Sequence, residues 1–171
     1  MGFVINKYSH VHPVKQSHLN GCWAACLEFW MKATTGNRSI TQKKLRKESD
    51  LISRYESDST TGTVFSKKDN DYGILEETEM LWLLKQARWG MSAWQMSDIT
   101  GDTIKDLLDL GPVYVGFFDT FSNGKHVNVI CGYDETYEMV EAMEPRTGKF
   151  VERGWTTYTS NTAVNIIGWK A

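Results

Sequence analysis

The segment GCWAACLEFWMK, from Gly21 to Lys32, is apolar around most of a helix's circumference. Trp23, Leu27, Trp30 and Met31 recur at helical spacings, and Ala24 and Ala25 favour the helical backbone. Cys26 and Phe29 widen the apolar surface beyond one stripe, so the remaining chain must wrap this helix. Glu28 is expected on its wetter side. Gly21 punctuates its start, and TTGNRS ends it through Gly36, Asn37 and Ser39.

The last third supplies material for the wrapping. Strands are predicted over Val113–Phe118, His126–Tyr133, Glu138–Ala142, Lys149–Arg153 and Val164–Trp169, separated by glycines and polar turns. Before them the pattern is helical. Thr41 is placed to cap a helix from Gln42. In ILEETEMLWLLKQA, Leu75, Met80, Leu81, Leu84 and Ala87 fit a helix. In DTIKDLLDL and its flank, Ile104, Leu107, Leu108 and Leu110 are expected core contacts, ended by Gly111 and Pro112. Residues 53–73 are polar and read as a flexible insertion, and residues 1–20 as an irregular arm. Helices first and strands later make this an α+β chain rather than a βαβ repeat, and 171 residues favour one domain.

Composition narrows the function classes. With 41% hydrophobic residues a substantial core can form, while 19 basic against 21 acidic side chains give no long-range pull on nucleic acid or an anionic membrane. The basic run TQKKLRKES is expected to be a solvated face. No apolar run reaches membrane-span length, so no membrane insertion is expected. The sequence as given begins without a Sec signal, and Asn6 stands where a myristoylation signal wants Ser or Thr. Three cysteines, Cys22, Cys26 and Cys131, do not make a disulfide scaffold and point to a reducing environment. His10 and His12 lack accompanying metal ligands, and no phosphate loop is present, so neither metal nor cofactor is expected.

One cysteine stands apart. In the first turn of its helix, Cys22 would meet unpaired amide hydrogens that favour its thiolate. A nucleophile also needs a base, and His126 opens HVNVICGYDE. Strand alternation puts His126, Asn128 and Ile130 on one face, with Val127, Val129 and Cys131 on the other. A carboxylate should orient that histidine. Glu144, just before Pro145, is the preferred candidate over Glu141, on the opposite strand face, and Asp134, in a turn. The side-chain amide of Gln16 and the backbone amide of Cys22 would supply an oxyanion hole.

Gln16 six residues before Cys22–Trp23, His126 in KHVNVICGYD and an acid before proline in MEPRTG together resemble papain-like cysteine peptidases. The resemblance is closest to AvrRpt2-type bacterial effector proteases, through CWAAC, and more remote to bacteriocin-leader peptidases. It implies a single two-lobed papain-like domain over residues 1–171. Its helical lobe would cover about 17–110, and its antiparallel sheet about 111–171 together with the N-terminal arm. It further implies a catalytic set of Cys22, His126 and Glu144, with Gln16 in the oxyanion hole. The activity implied is a cysteine endopeptidase acting on a protein or peptide substrate, in the setting of a bacterial effector or toxin exported without a signal peptide, or otherwise cytoplasmic. Deamidation, transglutamination and peptidoglycan amide cleavage use the same thiol chemistry, and a noncatalytic binding module is the alternative of another class. The family usually has Asp or Asn where Glu144 stands, and the additional methylene changes its reach.

Overall fold

The structure is a computed structural model that describes residues 4–47, 77–97, 99–159 and 165–171. The insertion expected at 53–73 lies outside the described residues. Helix α1, Cys22–Thr35, is buried from Trp23 through Met31 and ends on Gly36, whose left-handed φ of 69° accompanies a 3.1 Å bond from its N–H to the Lys32 carbonyl. Glu28 departs from expectation. It is buried, and its carboxylate takes Lys32 Nζ at 2.5 Å and the Gln42 amide at 2.7 Å. The charge is tolerated inside because both oxygens have partners, and these fasten α1 to α2, Gln42–Lys47. Thr41 caps α2 as expected, its hydroxyl oxygen accepting from the Lys44 amide at 3.3 Å.

Helix α3, Glu77–Leu84, stops short of Ala87, because Gln86 is extended and a separate 3-10 turn, Ala87–Trp89, follows. The next segment is a strand that the sequence pattern does not announce: β1, Met91–Met96, reads MSAWQM. It is made a strand by its partner, since it pairs antiparallel with β6, Asn165–Lys170, from Met91 opposite Lys170 onward. Helix α4, Gly101–Leu110, buries Ile104 and Leu108, while Leu110 is 54% exposed and so no core contact. It sits in the last turn, two residues past Leu108 and off the buried face.

Strands β2 (Val113–Asp119), β3 (Gly124–Asp134), β4 (Met139–Glu144) and β5 (Lys149–Gly154) follow, with a short helix α5, Thr156–Thr159, before β6. The sheet runs β1-β6-β2-β3-β4-β5 and every pairing is antiparallel. Its two faces carry separate cores. Val127, Val129 and Cys131 of β3 pack with Trp23, Leu27 and Trp30 of α1; Ile130, Val115 and Phe117 pack with Ile104, Leu108, Trp155 and Tyr158. Trp23 is thus the anchor between helix and sheet, and Cys26 and Cys131 are small buried residues of that interface. This is the expected α+β arrangement, an N-terminal helical part against a C-terminal antiparallel sheet.

The N-terminal arm is fastened beside the end of β4. The Gln16 amide donates to the Pro145 carbonyl at 2.7 Å, and Gln42 bonds Ser17 N and the Lys15 carbonyl. Gly148 makes this approach feasible: its φ is +64°, and a Cβ there would lie 2.6 Å from Lys15 Cβ.

Candidate active site

His126 and Glu144 meet because of strand register. His126 is opposite Phe117 of β2, and Val129 of β3 is opposite Met143 of β4, so the next residue, Glu144, falls beside Asn128 and His126. Both His126 and Glu144 are 3% exposed, so neither polar group can rely on water. His126 Nε2 lies 2.8 Å from Glu144 Oε1. That oxygen also accepts the Arg146 amide at 2.9 Å, while Oε2 accepts Asn128 Nδ2 at 3.2 Å and Arg153 Nη2. Tyr158 completes the chain by donating to Asn128 Oδ1 at 3.0 Å.

These bonds fix the charge and the tautomer. Burial pushes the Glu144 carboxyl up, but the hydrogen bond and charge of His126, with the Arg146 amide and Asn128, hold it down at about 2. At neutral pH Glu144 is therefore an ionised acceptor, so Nε2 of His126 carries the proton. In the neutral ring Nδ1 is then the basic nitrogen. Phe117 packs edge-on against the ring with centroids 5.8 Å apart, fixing its plane.

Cys22 approaches from the other side. Gly21 provides no side-chain cap, so the first-turn amides of α1 are left for other acceptors. The amides of Trp23 and Val127 do favour the Cys22 thiolate, as does the charge of Arg146, but burial outweighs them and pushes the thiol up to about 11. The helix-end amides thus favour the anion as expected, while desolvation acts against them with the larger effect. Cys22 and His126 line one cavity of about 530 Å³ together with Trp23, Met80, Phe117 and Arg146. No hydrogen bond joins the thiol to the imidazole in this conformation. Arg146 is itself held by buried Asp119 at 2.9 Å and by Ser122 at 2.6 Å.

Gln16 is not among the residues that line this cavity, and its side-chain amide is engaged elsewhere in the arm. Nε2 donates to the carbonyls of His18 at 2.8 Å and Leu19 at 2.6 Å, and the buried Oε1 has no partner. Glu141 is opposite Glu152 on β5 and Gly132 on β3, away from His126, and Asp134 accepts the Tyr137 amide in a turn. His10 and His12 are exposed, and among the described residues no group of three or more His, Cys, Asp or Glu is arranged to hold a metal. No helix among the described residues is long and apolar enough to cross a membrane.

Three members of the polar network escape sequence reasoning. Asn128 carries a usable signal, standing two residues from His126 on the same strand face. Arg153 and Tyr158 carry none, because only the order of β3, β4 and β5 and the turn into α5 bring them to Glu144 and Asn128.

A helix that begins at a cavity-lining thiol, packed on an antiparallel sheet that carries a histidine–carboxylate pair, is the arrangement of a cysteine peptidase or related papain-like thiol hydrolase. The chain belongs to the Peptidase_C39 like family, whose model matches residues 8–169. No curated protein matches it.

Proposed function

We propose that this protein is a cysteine endopeptidase in which Cys22 attacks a peptide carbonyl and His126 moves the proton. The observation that carries the reading is the His126–Glu144 bond made through Nε2, which leaves Nδ1 as the base of a ring lining the same cavity as Cys22. The Cys22 Sγ proton passes to Nδ1 as sulfur bonds to the carbonyl carbon, and Glu144 stabilises the imidazolium formed. The tetrahedral oxyanion is held by the Cys22 amide in the uncapped first turn. Gln16 Nε2 joins it after exchanging one of its present carbonyl partners. The imidazolium then protonates the leaving amine, and water activated by Nδ1 releases the acyl group from sulfur. The steps need neither metal nor cofactor.

Support for a protein or peptide substrate comes from the family and from a cavity whose walls are largely apolar, with Trp23, Met80, Phe117, Phe118 and Ile166. The narrower setting, a bacterial effector or toxin exported into a host or target cell, rests on the likeness of CWAAC to AvrRpt2-type proteases alone. The lack of a hydrogen bond between Cys22 and His126, whose Nε2 is engaged by Glu144, favours a second reading, a binding module that retains the cleft without chemistry. Incubation of native protein and Cys22→Ala with a mixed peptide library, followed by mass spectrometry, decides. Backbone cleavage lost in the variant supports the peptidase. A mass gain of about 1 Da on glutamine supports a deamidase instead, and peptides left intact by both proteins support the binding module.

A further inference from the structure

We infer that Arg153 is a positioning residue for this thiol centre: from β5 it grips the far oxygen of Glu144 and so presents the near oxygen to His126. The inference rests on the peptidase reading and concerns how its base is held. A glutamate in place of the family's usual Asp or Asn has one more torsion, so its carboxylate can swing through more orientations. Here each oxygen has its own pair of donors. Oε1 takes His126 and the Arg146 amide; Oε2 takes Asn128 and Arg153. Because β4 lies between β3 and β5, the carboxylate is held from both neighbouring strands.

Neutral donors alone would satisfy Glu144, yet a guanidinium is present. A fixed positive charge beside this carboxylate opposes imidazolium formation at His126, so its benefit to the centre must be geometric rather than electrostatic. The rest of the side chain agrees with that role. Arg153 Nε is buried without a hydrogen-bond partner, and the group's polar contact is directed to Glu144. Arg153 is opposite Val140, four residues along β4 from Glu144, so the reach uses the whole arginine side chain. Arg153 is not among the residues that line the cavity.

The test compares native protein with Arg153→Met, Arg153→Lys, Glu144→Ala and the Arg153→Met/Glu144→Ala double variant. Arg153→Met is expected to lower kcat about 10- to 100-fold with little change in KM. Arg153→Lys, which keeps the fold's charge balance, recovers part of the loss. In the double variant kcat equals that of Glu144→Ala alone, since Arg153 acts through Glu144. The His126 Nε2 proton is expected to give a sharp downfield NMR resonance in native protein, to lose it through solvent exchange in Arg153→Met and to regain it in Arg153→Lys. An unchanged resonance, or losses that multiply in the double variant, overturns the inference. Because the resonance needs no substrate, it decides the point even for a protein that cleaves nothing. Absent turnover in the native protein would instead reject the peptidase reading.

Discussion

The two halves of the site are built differently. On the sheet, His126 and Glu144 are buried, and one carboxylate collects four hydrogen-bond donors. At the start of α1, Cys22 is half-buried beside a helix end without a side-chain cap, and burial pushes its thiol up to about 11. The sheet half is assembled before any substrate arrives. In the proposed mechanism the helix half gives up its proton only when a carbonyl and the base are both within reach. A protein with a permanent thiolate would carry a reactive anion exposed to any electrophile. In the proposed mechanism ionisation is deferred to the bound complex, and the Trp23 and Val127 amides favour the anion that forms.

The sharpest way to break that contrast is to remove the sheet's carboxylate. Glu144→Ala should lower kcat/KM by about 100-fold or more, because the imidazolium loses both its orientation and its counter-charge. Glu141→Ala, on the other strand face, should leave the rate unchanged. Equal losses in steady-state assays of the two variants would mean that the buried network has no special role.

A smaller effect sharpens the helix half. Since the Cys22 pKa is raised, the thiolate fraction grows as pH rises towards about 11 and has no plateau near neutrality. Alkylation by labelled iodoacetamide should therefore favour Cys22 over the buried Cys26 and Cys131, and its rate should climb about tenfold per pH unit between 7 and 10. A rate already level at pH 6–7 would reveal a thiolate–imidazolium pair in the free protein and erase the difference between the halves.

The same contrast explains what the sequence made legible. The helix half is written locally: Gly21, the apolar spacing after Cys22 and Gly36 mark its ends and its burial. Along β3, alternation correctly put His126 and Asn128 on one face, whereas β4 runs on to Glu144, two residues past the Ala142 expected to end it. What was missed depends on distant pairing. MSAWQM becomes β1 only because β6 lies alongside it, and Glu28 is buried only because Lys32 and the Gln42 amide satisfy it. Arg153 joins the site through the order of three strands, which no spacing in the chain encodes. The opposing effect of burial on the thiol is hidden for a related reason. Helix-end amides can be read from the sequence, whereas desolvation depends on how deeply the folded neighbours enclose the sulfur.

The most direct measurement is the mass of the protein itself during turnover. Native protein mixed with an activated peptide ester and quenched in acid should gain the acyl mass on the tryptic peptide containing Cys22. His126→Ala should gain it far more slowly, and Cys22→Ala not at all. No adduct, an adduct on Cys26 or Cys131, or acylation at the native rate in His126→Ala would contradict a thiol at the end of α1 activated by a histidine on β3.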